Sequence, residues 1–374
     1  MQLEELLTEA VRYRASDLFI TVGTAPAIKV SGRFVPLAED DLDSDQTQAL
    51  VDAALTPEQR ERFARTGEAN CAIRSEHGER FRVSAFYQRG APGMVARRIE
   101  SHIPSLEQLR LPPKLHELAR LKRGLILFVG GTGTGKSSSL AAMIGSRNAT
   151  MGGHILTVED PIEFIHPHQQ SLITQREVGI DTDSFEVALR NALRQAPDVI
   201  LIGEVRSREV MDYAVAFAET GHLTLATLHA NNANQALDRI INFFPQNRRE
   251  QLLMDLSLNL EAIVAQQLVP TADGAGRVPA IELLLGSPLV KTHIRNGEID
   301  QLKEVMGKSE EMGMQTFDRH LFQLYQAGEI TYENALAHAD SANDVRLMIK
   351  LDGQEPDTGD SEKQQRRGPS FRLK

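Results

Sequence analysis

Eight residues, Gly130-Gly131-Thr132-Gly133-Thr134-Gly135-Lys136-Ser137, concentrate the chemistry of this chain. Their glycines let a backbone curl until its N–H groups converge on a polyphosphate, because no Cβ blocks the positive-φ conformations that such a curl needs. Lys136 can reach the β- and γ-phosphates, and the Ser137 hydroxyl is a ligand for magnesium. The ATP-binding set expected from this spacing is Gly131, Thr132, Gly133, Thr134, Gly135, Lys136, Ser137 and Ser138, with Mg2+ on Ser137.

Such a cradle binds nucleotide, and hydrolysis requires carboxylates from neighbouring strands. Val199-Ile200-Leu201-Ile202-Gly203-Glu204 is an apolar run ending in an acid, a Walker-B pattern that turns Glu204 toward the metal. A second run, Ile155-Leu156-Thr157-Val158, leads into Glu159-Asp160-Pro161-Ile162-Glu163, whose three carboxylates include a candidate general base. His222 and His229 bracket a third run. In an extended strand they stand more than about 20 Å apart, too far for one metal ion. His229, at the strand's C-terminal end, belongs with the phosphates, where it can sense the γ-phosphate. His222 is expected to serve a subunit contact instead.

These side chains need elements to position them. Residues 125–129 form an apolar run into the glycines, and residues 138–145 continue as a helix, the strand–loop–helix context of a P-loop. With the runs at 155–158, 199–202 and 223–227 alternating with helical patterns, the expectation is an α/β fold with a mainly parallel sheet covered by helices. Residues 245–350 read as largely helical, with a hairpin near Gly274 and Gly276. The first third reads as a small α+β unit. Leu3, Leu6, Leu7, Ala10 and Val11 share a helical face. A strand at 17–22, a hairpin about Ser31-Gly32-Arg33, helices at 44–55 and 57–65, and a second hairpin about His77-Gly78 follow. Three prolines between 101 and 113 mark a linker. The expected organisation is 1–100, a linker at 101–112, a catalytic unit at 113–351, and a polar tail at 352–374 expected to be disordered.

Composition narrows the function classes. A chain of 374 residues suits two domains. Its net charge of −10 argues against nucleic acid as a partner. The single cysteine, Cys71, cannot form an internal disulfide and fits a reducing cytosol. With no basic-apolar leader and no run near the roughly 18 apolar residues of a membrane span, any membrane role is expected to be peripheral.

Taken together, these motifs resemble the secretion ATPase superfamily and, within it, the type IV pilus retraction ATPases of the PilT/PilU family. The likeness covers nearly the whole chain. Ala15-Ser16-Asp17-Leu18 and Arg80-Phe81-Arg82-Val83-Ser84-Ala85-Phe86 match the N-domain. The P-loop, the acid box Glu159-Asp160-Pro161-Ile162-Glu163-Phe164, the Walker-B segment and the histidine box from Thr220 to His229 follow in family order. The resemblance implies a PAS-like N-terminal α+β domain followed by a RecA-like P-loop ATPase core with a helical C-terminal part. It gives Glu163 the role of polarising the attacking water and Glu204 that of Walker-B acid and metal ligand, with Asp160 helping to shape the site and His222 and His229 at the paired positions of the histidine box. It also implies that Arg82, Arg97 and Arg98 reach a nucleotide held by a neighbouring subunit, hence a homo-oligomer in the form of a hexameric ring. Such a ring would be cytoplasmic, acting on an inner-membrane pilus platform protein.

A short chain without an extra N-terminal domain or a tetracysteine zinc module points to the retraction type rather than the assembly type. PilT proteins carry Ala-Ile-Arg-Asn-Leu-Ile-Arg-Glu where this chain has Lys291-Thr292-His293-Ile294-Arg295-Asn296-Gly297-Glu298. Together with Gly313-Met314-Gln315-Thr316-Phe317-Asp318 and the polar tail, that departure points to the PilU branch: an accessory retraction ATPase acting with a PilT-like motor.

Overall fold

The computed structural model describes residues 2–30, 32–99 and 102–352, so the tail expected at 352–374 lies outside the described residues except for Asp352. The N-terminal part contains β1 (Asp17–Thr21), β2 (Ala27–Val30), β3 (Arg33–Pro36), β4 (Glu68–Arg74), β5 (Arg80–Gln88) and β6 (Ala91–Arg98). They form an antiparallel sheet in the order β3-β2-β1-β6-β5-β4. The helix Leu3–Arg12 turns Leu3, Leu6, Leu7 and Ala10 into this domain's core, as its spacing requires. The helices Ser44–Ala54 and Pro57–Thr66 start at Asp43 and Thr56, whose side chains accept from the amides of Gln46 and Gln59 while those glutamines bond back. Each is a reciprocal cap that fixes where the helix begins.

β6 is a strand that the sequence reading passed over, because Pro92-Gly93 argues against a strand interior. It is central, between β1 and β5. Pro92 sits at the start of the strand, and bare Gly93 admits close neighbours: a Cβ there would lie 3.2 Å from the carbonyl of Ile20 and 3.2 Å from the ring of Phe86.

The second sheet is built from β7 (Gly124–Val129), β8 (Gly153–Glu159), β9 (Ser171–Glu177), β10 (Val199–Ile202), β11 (Leu223–Leu228), β12 (Leu260–Pro270) and β13 (Arg277–Leu285). Its order is β13-β12-β7-β11-β10-β8-β9. All neighbours are parallel except β12 and β13. β7, β10 and β11 are buried at every position, which is why they read as unbroken apolar runs. The hairpin expected near Gly274 is longer than its turn signal suggested. Its two strands extend the main sheet, between the helix Gln246–Asn259 and the run of helices that starts at Pro288–Asn296. β12 is buried on both faces for most of its length and so shows no alternation to read.

The topology brings the C-terminal ends of β7, β8, β10 and β11 to one edge. Val129 pairs with Leu228, and Ile202 pairs with both Val158 and Ala226. A parallel sheet places its ligands at this edge. Leu106 and Leu111, inside the segment read as linker, are buried in the core of this second unit. That segment is therefore part of the packing. No helix among the described residues is long and apolar enough to cross a membrane.

Leu106 is 1% exposed. Leu106→Ala is expected to destabilise the core by about 2–5 kcal/mol through lost burial and the cavity left behind. Denaturant unfolding should show a lowered midpoint, and an unchanged midpoint would mean the segment is only draped on the surface.

Candidate active site

β7 ends at Val129, and the chain turns through residues 130–135 into the helix Lys136–Thr150. Gly130, Gly133 and Gly135 have φ of 157°, 75° and 88°. Two of them also lack space. A Cβ on Gly130 would stand 2.5 Å from the Gln266 carbonyl oxygen, and one on Gly135 would stand 2.7 Å from Gln266 Nε2. β12 therefore forms the wall against which the loop is pressed. The contact is specific, since Ser139 Oγ donates to Gln266 Oε1 at 2.7 Å in a buried bond. Within the loop, Thr134 Oγ1 donates to the Gly131 carbonyl at 2.9 Å.

Lys136 folds back over the loop. Its Nζ donates to the carbonyls of Gly130 and Gly131 at 2.8 and 2.7 Å. Burial pushes its pKa down, and the charges of Glu204 and Glu163 oppose that shift. The ammonium, desolvated at a helix N-terminus and facing two acids, is placed to take phosphate oxygens as partners.

Across a cleft of about 290 Å³ stand Asp160, Glu163, Glu204, Arg206 and His229, opposite Thr132, Gly133, Lys136 and Ser137. Glu204 follows β10 and is gripped from two sides: Arg206 Nε donates to its Oε2 at 2.6 Å, and His229 Nε2 lies 2.9 Å from its Oε1. The Arg206 guanidinium also lies 3.3 Å from Asp160 Oδ2. Short links hold this corner in place. Thr227 Oγ1 donates to the Gly203 carbonyl, and the Val205 amide donates to the Thr227 carbonyl at 2.9 Å. A Cβ on Gly203 would come within 3.0 Å of Glu159 Cα, so a bare residue lets β10 and β8 close there.

Glu159 also lines the cleft. It accepts from Thr157 Oγ1 at 2.6 Å and from Gln175 Nε2 at 3.2 Å. Burial nevertheless raises its pKa to about 7. Glu163 is exposed on the cleft wall. His222 lies at the other end of β11. Its Nδ1 is 3.1 Å from Thr220 Oγ1 and 3.2 Å from the Phe217 carbonyl, at the end of the helix Arg208–Glu219.

The arginines are elsewhere. Arg82 Nε lies 3.6 Å from Glu177 of β9, and Arg97 Nε donates to Asp17 Oδ1 at 2.8 Å. Arg98 ends β6. None of the three lines the cleft of its own chain. Sequence reasoning missed Gln266, whose only signal was a polar residue in an apolar run, and Arg206, two residues beyond the Walker-B acid.

The family model for type II/IV secretion system proteins matches residues 1–323. The chain belongs to the type II/IV secretion system protein family. Within that family it is 64% identical to the type IV pilus ATPase PilU of Pseudomonas aeruginosa, over 96% of this chain and 93% of PilU. It is 38% identical to the retraction ATPase PilT of the same organism, over 90% of this chain and 97% of PilT. A solved structure of the pilus retraction motor PilT with bound ADP superposes with a TM-score of 0.87 at 38% identity, covering 93% of this chain and all of that one. The family's fold, an N-terminal domain before a RecA-like core, is the fold described above.

Two outcomes test this site. Gly135→Ala adds a Cβ at positive φ against Gln266, and the strain is expected to weaken nucleotide affinity about tenfold or more in a titration with a fluorescent ATP analogue. Unchanged affinity would contradict the role given to β12. For Glu159, the folded pKa of about 7 stands above the ordinary glutamate value of 4.5. Between those values the folded chain holds the extra proton, so this group lowers stability as pH rises through the window, and the penalty persists above it. Glu159→Gln should flatten that fall in unfolding curves recorded across the same window.

Proposed function

We infer that this chain is an ATP-hydrolysing motor subunit of the type IV pilus machinery, an accessory retraction ATPase of the PilU kind that works beside a PilT-like motor. The observation that carries the reading is the convergence of the phosphate loop and the acids Glu163 and Glu204 on one cleft. The 64% identity to PilU supports the biological setting.

The roles follow from chemistry. The amides of Gly131, Thr132, Gly133, Thr134 and Gly135, with Ser138 behind them, cradle the phosphates, and Lys136 exchanges loop carbonyls for phosphate oxygens. Ser137 and Glu204 are hard oxygen donors on opposite walls, the donor set that suits Mg2+ with nucleotide. When bound, Mg2+ neutralises phosphate charge. Glu163, free in the cleft mouth, orients and deprotonates the attacking water. His229 touches Glu204, so a γ-phosphate in the cleft competes for the same contacts and is sensed there.

Arg82, Arg97 and Arg98 lie outside the cleft of their own chain, and we assign them, Arg82 once withdrawn from Glu177, to the nucleotide of a neighbouring subunit in a hexameric ring. Hydrolysis would then move the N-terminal unit of one subunit against the core of the next. The ring would sit at the cytoplasmic face of the inner membrane, on a pilus platform protein. The departure from the PilT motif falls on the surface helix Pro288–Asn296, where Lys291 pairs with Glu261 at 3.2 Å and His293 with Glu298 at 2.7 Å. Local pairs occupy these side chains, which fits an accessory partner.

Steady-state hydrolysis tests the reading. Glu163→Gln should lower kcat by about 10²–10⁴-fold while ATP still binds, and Lys136→Ala should lose binding. Background turnover by the unsubstituted chain, alone and with a PilT-like ring, would reduce it to a nucleotide-binding subunit.

A further inference from the structure

Glu177 ends β9 at the margin of the core sheet and is 0% exposed. Neither of its carboxylate oxygens takes a hydrogen bond of ordinary geometry. Its charge partners come from the other domain: Arg80 at 3.9 Å and Arg82 at 3.6 Å. Those two arginines are two apart on β5 and so share one face of that strand. A buried carboxylate without donors is costly unless paired, so the position of the two guanidiniums matters to the fold.

The main chain at Glu177 is firmly held. Its amide donates to Asp181 Oδ2 at 2.9 Å, and its carbonyl accepts from the Asp181 amide at 2.8 Å. It is also close to the acid segment. Glu177 is the ladder partner of Glu159, and the Val178 amide donates to the Glu159 carbonyl at 2.9 Å. The amide of Ile162, between Asp160 and Glu163, faces its carboxylate.

We propose that Glu177 is a positioning residue: through Arg80 and Arg82 it holds the arginine-bearing strand of the N-terminal domain against the core of the same chain, beside the segment that carries Glu163. The pairing is long and lacks the fork geometry of a tight arginine–carboxylate bond, whose N–O distances are about 2.7–2.9 Å. It attracts without locking. A domain movement that withdraws β5 takes both guanidiniums from Glu177, so the pair biases the two domains toward the held arrangement and releases them at a cost.

The test is a distance distribution between spin labels on Arg62→Cys, in the N-terminal domain, and Arg190→Cys, in the core, both exposed positions. Native Cys71 is buried, with its thiol pKa raised to about 11, and resists labelling. Labelled chain is diluted into unlabelled chain so that each particle carries one pair of labels. Glu177→Gln keeps the shape and removes the charge. It should shift the ratio of held to released arrangements about tenfold toward released, in the range of coupled neighbours. Arg82→Gln should shift it the same way by less, because Arg80 remains, and adding Arg82→Gln to Glu177→Gln should produce no further shift. Additive effects, or a parental distribution in Glu177→Gln, would overturn the proposal. Should Glu177→Gln not fold, Arg80→Gln with Arg82→Gln decides, and a parental distribution there overturns it equally. The readout needs no turnover, so it stands apart from any failure of the ATPase assignment.

Discussion

A phosphate cradle made of glycine backbone has no stiffness of its own, and the elements around residues 130–137 must supply it. β7 enters the loop from the middle of the sheet, the helix Lys136–Thr150 leaves it, and β12 closes the side through Gln266. The absent Cβ atoms at Gly130 and Gly135 permit that approach. Amides held in a fixed curl do not have to reorganise when charge arrives, which is what makes a preformed loop effective. The same packing explains why β12, far along the chain, belongs to the site as much as the loop does.

Electrostatics complete the constraint. One wall carries Lys136 and the helix N-terminus, and the other carries Asp160, Glu163 and Glu204 with Arg206 and His229 among them. Glu204 is half of an internal balance, held by a cation on one side and a histidine on the other. Adding nucleotide to such a cleft necessarily redistributes these contacts. Glu204, Gly203 and Thr227 tie β10 to β11, and Glu159 ties β8 to β9, so a continuous set of contacts runs from the phosphate edge to β9, where Arg82 of the N-terminal domain meets Glu177.

Much of this was legible in the sequence because β7, β10 and β11 are buried at every position, and β8 over its middle, so each reads as an apolar run ending in a polar signal, whereas the partly exposed β9 does not. β7, β8, β10 and β11 were found that way, together with Lys136, Ser137, Glu204, Glu163 and His229. What escaped did so for physical reasons. β6 begins with Pro92-Gly93, and only its neighbours show that the glycine is a close-approach site. β12 has no alternation because neither face is wet over most of its length. The segment 101–112 looked like a linker because prolines mark turns, yet Leu106 and Leu111 find the core. Gln266, Arg206 and Glu177 act through partners far away in sequence, and pairings of that kind have no local pattern.

The fold thus joins a domain that carries arginines to a core that carries a hydrolytic cleft, with a breakable contact between them. Turnover in this cleft is assigned to assisting pilus retraction driven by a second ATPase. The most direct measurement is pilus retraction followed in single cells that carry this chain as the sole retraction ATPase, a PilT-like motor alone, or both. The expected result is no retraction with this chain alone and stronger or faster retraction with both than with the PilT-like motor alone. Full retraction with this chain as the only ATPase, or no difference on adding it to the other motor, would contradict an accessory role.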